Sequence, residues 1–284
     1  MRKKMLAALI GLAVLCAGCG KGESDMDGTG VPGAFVSVRC GESGGMERTS
    51  SRSFWLRRGE DGALLLDASL FIGDTEVSLE EIEVDEACAD EVTRIAEEYD
   101  MLARRGKATK KSSLFALDEK TKSFALCFEG ADEVSLEDGY KKSDGFAQGR
   151  SEIDLFLYGI GAQLAQQYYD AFFENCAGGW TAPNEGMGDY IAFDCADGDV
   201  ICSIGGHGEQ WKRPAGWIDS FALDAQGVYT LAVCFPAEPA DDMGHAWESL
   251  RAEYQIIPGN GGAELTVTDT QEGTPVVYYR DAID

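Results

Sequence analysis

The sequence predicts an α+β N-terminal domain, an antiparallel meander with two helices, followed by an all-β barrel. Three observations carry this. Residues 34–72 hold three runs rich in β-formers, separated by Gly, Ser and Asp clusters. Two later stretches, 85–105 and 151–175, repeat apolar residues every three or four positions. From residue 176 onward no long helical period survives, and short strand-like runs alternate with turn signals to the end of the chain.

Residues 1–19, MRKKMLAALIGLAVLCAGC, precede all of this. Arg2, Lys3 and Lys4 form a basic head, a charge-free apolar run follows, and Cys16-Ala17-Gly18-Cys19 closes it with small residues. That pattern reads as a lipoprotein signal peptide, too short and wrongly flanked for an ordinary spanning helix. Cleavage before Cys19 would leave its thiol to carry lipid. Cys16 stands three residues before Cys19, where such signals usually place Leu, a departure that bears on the cleavage point more than on export. Residues 20–33 (GKGESDMDGTGVPG) lack apolar periodicity and read as a flexible tether. The expected location is the extracytoplasmic face of the cell membrane, with the membrane as partner through the N-terminal lipid.

The chain carries 50 acidic and 24 basic side chains, a net charge of −26 that grows more negative once the signal leaves. Such a field repels nucleic acid and anionic lipid headgroups, so nucleic-acid binding is excluded as a function class. Nine cysteines include Cys16 and Cys19. Cys40, Cys88, Cys127, Cys176, Cys195, Cys202 and Cys234 remain, an odd set without repeated spacing, several inside apolar runs such as Leu231-Ala232-Val233-Cys234-Phe235. Reduced core thiols are favoured over a full disulfide framework, although an exported chain permits either.

The first domain is expected over residues 34–175. Runs at 34–40, 53–58 and 63–72 form the meander, and Gly73-Asp74 turns the chain into 75–84. Asp85 is a candidate N-cap for a helix to about Arg105, with Val84, Cys88, Val92, Ile95, Tyr99 and Leu102 on one face. Strands at 113–117 and 123–128 follow. Ser151-Glu152-Ile153-Asp154 resembles a capping box, and Ile153, Phe156, Ile160, Leu164, Tyr168 and Phe172 define a second apolar face that packs over the strands. Gly159 and Gly161 lower the intrinsic propensity of this helix.

The second domain is expected over residues 176–284. Strand-like runs at 190–195, 200–204, 217–223, 228–235, 251–257, 263–268 and 275–280 suggest a small closed antiparallel barrel, which hides its edges. Gly178-Gly179-Trp180 fits the G-x-W pattern, and Arg280 lies in the last strand, where a guanidinium can stack on the indole. On these residues the segment from about Gly178 to Arg280 resembles lipocalin-like (calycin) barrels. The resemblance implies Trp180 and Arg280 as a barrel-closing pair, and a small apolar ligand in the barrel mouth. The long polar loop at 236–248 departs from that pattern. The chain as a whole resembles uncharacterised two-domain lipoproteins of gut-type Gram-positive anaerobes, on Cys19, the order of elements, and segments such as Gly227-Val228-Tyr229-Thr230-Leu231; that likeness implies architecture and no activity.

Chemistry finds little support. There are two histidines, His207 and His245, and no G-x-S-x-G. Cys202 lies five residues before His207, but its alternation with Val200 and Ile204 reads as a buried strand face. The Cys and His residues show no metal-ligand spacing, and Asp194, Asp197 and Asp199 read as a hairpin turn more than a calcium site. No metal site, cofactor or catalytic residue is expected. Cys195 and Cys202 flank that turn. With Gly198-Asp199 as its loop, Cys195 lies opposite Cys202; with Asp197-Gly198, it faces Val200. Both registers place the two on one face as a candidate disulfide. Trp211, Trp217 and Trp247 are candidate ligand-binding aromatics, the competing reading being that Trp217 begins a strand and faces the core. The leading expectation is a non-enzymatic, membrane-anchored lipoprotein that captures a small apolar or amphipathic ligand in its barrel. The alternative is a structural or protein-interaction surface lipoprotein with a filled barrel; a hydrolase using His207 or His245 is a third.

Overall fold

Alternation of apolar and polar side chains builds the first strands. In the computed structural model β3 (Leu64–Ile72) buries Leu64, Leu66, Ala68 and Leu70 and turns the intervening residues outward, as the two-residue period of a pleated strand requires. It pairs antiparallel with β2 (Arg52–Arg58) and β4 (Thr75–Glu83), and β2 pairs with β1 (Phe35–Ser43). The structure describes residues 33–44, 51–103, 105–107, 121–136, 140–182, 189–196, 199–205, 216–237, 248–271 and 273–280. The expected strand at 113–117 lies outside these residues. Its neighbour is present as β6 (Thr121–Phe128), which pairs with the free side of β1 and carries β7 (Val134–Ser135) beyond it. A two-stranded pairing of β5 (Arg105–Lys107) with β8 (Tyr140–Lys141) stands apart.

Helix α1 is shorter than its periodicity suggested, spanning Ala87–Glu98. Ala89, Val92, Ile95 and Ala96 are buried, while Val84, Cys88, Tyr99 and Leu102 pack at the margin of the core. Glu86 occupies the N-cap position, yet the Asp85 carboxylate accepts the Ala87 amide at 2.9 Å, so the predicted acceptor acts one residue early. Arg94 on α1 holds Glu152 on the second helix at 3.0 Å, and the Tyr99 hydroxyl donates to the same carboxylate at 2.8 Å.

Helix α2 runs Phe146–Cys176, 31 residues and about 46 Å at 1.5 Å per residue. It begins before Ser151, so the capping-box reading of 151–154 fails: that segment is helix interior. Its buried seam is Ile153, Leu157, Gly161, Ala165, Tyr169, Phe172 and Cys176, a quarter-turn from the expected face, leaving Phe156, Ile160, Leu164 and Tyr168 half-buried. Gly161 supplies the reason. A Cβ there would stand 2.7 Å from the Phe54 ring, so the glycine lets helix and sheet approach closely.

Eight strands follow: β9 (Gly178–Ala182), β10 (Asp189–Ala196), β11 (Asp199–Gly205), β12 (Gly216–Leu223), β13 (Tyr229–Phe235), β14 (Leu250–Gly259), β15 (Glu264–Asp269) and β16 (Pro275–Arg280). Each pairs antiparallel with its sequence neighbour. β16 also pairs with β9, through Tyr279↔Thr181 and Arg280↔Trp180. The strand β9 was not among the expected seven. β12 has a divided role. Its first residues, Gly216 and Trp217, pair with β11; after an irregularity between Ile218 and Ser220, residues Ser220–Leu223 pair in parallel with Glu76–Leu79 of β4. That parallel step joins the two strand sets into one sheet of fourteen strands among the described residues. The molecule is mostly β with two helices, and residues 32–284 form one compact unit.

Candidate functional site

The junction of α2 with the eight-strand set is built from residues that the sequence singled out separately. Ala177 leaves the helix with extended backbone, Gly178 takes φ 101°, and β9 begins at once. Two residues later Trp180 is fully buried, and its indole N–H donates to the Cys176 carbonyl at 2.8 Å. Arg280, its register partner on β16, sets its guanidinium carbon 4.7 Å from the centre of the indole and donates to the Asn175 carbonyl. The structure thus brings Trp180 and Arg280 together, and gives both a task the motif did not disclose. They satisfy the last carbonyls of α2, and Arg280 supplies the cation that the final turn of the helix lacks.

The same helical turn packs its rings against three of these strands. Phe172 is fully buried, its ring 5.0 Å from Phe173 and from Tyr229, 5.3 Å from Phe193 on β10 and 5.6 Å from Phe221 on β12. One turn earlier Tyr169 packs edge-on to Phe221 at 5.4 Å. Its hydroxyl lies 3.4 Å from Thr75 Oγ1, which donates at 3.0 Å to the Ile218 carbonyl where β12 changes partner. The helix was expected to cover the meander; its C-terminal end serves the other strand set.

Three thiols are held protonated by burial. Burial pushes Cys176 up to about 12, with Arg280 opposing in part, and pushes Cys88 up to about 11. Cys40 is driven further up, first by burial and then by Asp154 beside it. Cys40, Gly41, Glu42, Lys122 and Ser123 from the sheet and Arg150, Ser151 and Asp154 from α2 line a cleft of about 40 Å³, room for a few waters and not for an organic ligand. Across it Arg52 bonds Asp154 at 2.6 Å, tying β2 to α2.

The remaining candidates are scattered. Trp217 lies on β12 and is 49% exposed, pointing away from the core, so the reading that it faces inward is corrected. Its register partners are Ile201 and Cys234, because the pleat that buries Ile218 turns Trp217 out. Backbone register pairs Cys195 with Val200 and Cys202 with Phe193, the arrangement with Asp197-Gly198 between the strands. Cys19, Trp211, Trp247, His207 and His245 lie outside the described residues. Among the described residues no group of three or more His, Cys, Asp or Glu gathers as a metal site, and no helix is long and apolar enough to cross a membrane.

One feature gave little warning in the sequence. Trp55 is 41% exposed on the face of the N-terminal sheet that the helices leave open among the described residues, with the Arg57 guanidinium 4.6 Å from its ring centre. The signal was only the alternation within Ser53-Phe54-Trp55-Leu56-Arg57, which buries Phe54 and Leu56 and must therefore expose Trp55.

Comparison with known proteins adds little. No family model matches the chain, and no curated protein matches it. A crystal structure from Bacteroides fragilis, of a chain provisionally named an outer membrane protein, aligns over 87% of this chain and 95% of its own at 8% identity. The TM-score is 0.17, too low to carry an argument about fold or function.

Proposed function

We propose that this protein is a lipid-anchored, extracytoplasmic, non-enzymatic interaction protein whose last eight strands form a closed lipocalin-like barrel filled by side chains. The α+β unit of residues 34–175 acts as plug and platform for the barrel of 176–284. Closure is supported by two pairings, β11 with β12 and β16 with β9, which give both ends of the run a partner. The observation that carries the reading is the Phe172 cluster. A helix end that places one buried ring against Phe193, Phe221 and Tyr229 occupies the volume where a lipocalin-type ligand would sit. This favours partner binding over ligand capture.

Native mass spectrometry of the protein from its own host, with the N-terminal acyl mass accounted for, tests this. A single species at the mass of the lipidated chain is expected. A stoichiometric apolar passenger that leaves on mild activation would overturn the filled barrel and restore ligand capture.

A further inference from the structure

Resting on the reading of this chain as a surface interaction protein, we propose that the uncovered face of the N-terminal sheet binds a carboxylate-bearing glycan, its sugar ring against Trp55 and its carboxylate on Arg39. The helices cover the opposite face, where Val38, Phe54, Leu66 and Leu126 are buried. On the open face the registers set side chains in rows across the strands. Ala125, Arg39, Trp55 and Asp67 form one row. Ser123, Gly41, Ser53 and Ser69 form the next. Arg57 lies on the other side of Trp55, two residues along β2.

This arrangement has the parts a glycan needs. The indole is held from one face: Arg57 stacks on it at 4.6 Å and is itself fixed by Glu81 at 2.8 Å and Asp67 at 3.4 Å. Glu81 adopts φ 55° and gives its amide to Asp67 at 2.6 Å, so even the support is locked. A Cβ on Gly41 would stand 3.1 Å from Ser123 Oγ and 3.0 Å from the Arg52 carbonyl, so this position stays glycine and the surface stays flat. Strands lie about 4.8 Å apart, so the serine row from β6 to β3 is about 14 Å long, the span of a short oligosaccharide.

The chemistry follows from what is left unused. A pyranose has a C–H face that packs on an indole. Its hydroxyls find those of Ser53 and Ser123, which have no hydrogen-bond partner among the described residues. Arg39 is exposed and forms no ion pair among the described residues, in a chain of net charge −26. An unneutralised guanidinium beside an exposed aromatic selects a compact anion, and its planar fork suits a carboxylate. A long polyanion would meet the surrounding acidic surface.

Titration calorimetry of the purified protein tests this with three acidic probes: trigalacturonate, a hyaluronan tetrasaccharide and sialyllactose, each beside its methyl ester. Saturable binding of at least one acid is expected, weakened about tenfold or more by Trp55→Ala. In Arg39→Gln the acid should bind no better than its ester. Trp55 is exposed, so an unchanged melting temperature will show that both variants fold. No saturable binding of any acid at millimolar concentration, equal binding by Trp55→Ala, or esters binding as tightly as acids in the wild type would each overturn the assignment. An apolar passenger found by mass spectrometry would overturn the filled barrel and leave this site standing.

Discussion

Replacing Phe172 with Ala should be the most damaging single truncation at the junction of helix and strands. The ring is fully buried, with four aromatic neighbours between 5.0 and 5.6 Å away. Losing the transfer free energy of a phenyl group costs about 2–3 kcal/mol. A residual cavity of roughly 100 Å³ adds about 2 kcal/mol, since the surrounding rings come from four elements and cannot all collapse inward. The sum, about 4–5 kcal/mol, is about a quarter or more of the stability of an ordinary domain, roughly 5–15 kcal/mol. Urea unfolding followed by far-UV circular dichroism should show a midpoint lower by about 1 M or more with an unchanged slope. Toluene should recover part of the loss by filling the void, as apolar ligands do in dry engineered cavities. A cost below about 1 kcal/mol, or no response to toluene, would mean that Phe172 borders solvent and that the filled-barrel reasoning is wrong.

Thr75→Val keeps the shape but removes the hydroxyl's bond to the Ile218 carbonyl; a loss of about 1–3 kcal/mol is expected, with hydrogen exchange quickening first in β4 and β12. Gly161→Ala should destabilise by about 1–3 kcal/mol in thermal melts, because its Cβ meets Phe54 at 2.7 Å. Gly159→Ala, with nothing within 4 Å, should stabilise the same helix by about 0.5–1 kcal/mol. The Cys176 thiol, raised from 9.0 to about 12, keeps its proton in the folded state after the unfolded chain has lost it. Stability should therefore hold below pH 9 and fall between pH 9 and 12, with about 1 kcal/mol lost by pH 10 and a shallower decline in Cys176→Ala. Cys19→Ser should abolish lipid labelling and membrane retention; a variant still labelled and retained would refute the anchor.

Period and punctuation made most of the elements readable. Leu64-Leu65-Leu66 and Val228–Phe235 announce strands because β-formers run between turn residues, and the helices announce themselves through Val92, Ile95, Ile153 and Phe172. Trp180 and Arg280 could be paired on paper because Gly178-Gly179-Trp180 and a last-strand Arg resemble the lipocalin pattern, which implies the pair. What periodicity hides is where an amphipathic element turns when two partners compete. The seam of α2 follows Gly161 because close approach to Phe54 outweighs helix propensity there, and no hydrophobic count scores a glycine as a contact. The division of β12 was hidden for a different reason. Its parallel pairing with β4 links residues more than 140 apart, and nothing local in Ser220-Phe221-Ala222-Leu223 distinguishes a strand with one neighbour from a strand with two. The Trp55 face escaped because an exposed aromatic in an alternating strand looks like any other outward position until the register reveals its neighbours.

The divided strand makes the two halves of this polypeptide complementary pieces of one object. Cut near Ala177, the first piece would keep α2 with an aromatic tip and nothing to receive it, together with an unpaired side of β4. The second would keep the matching side of β12 and the rings of Phe193, Phe221 and Tyr229 without Phe172 against them. Each raw edge is the natural template for the other. Co-expressed pieces should reassemble without a peptide bond between them, while either alone should recruit a second copy of itself or aggregate. The pairing of Ser220–Leu223 with Glu76–Leu79 is thus where two subunits of a heterodimer would meet, had this protein been encoded in two chains.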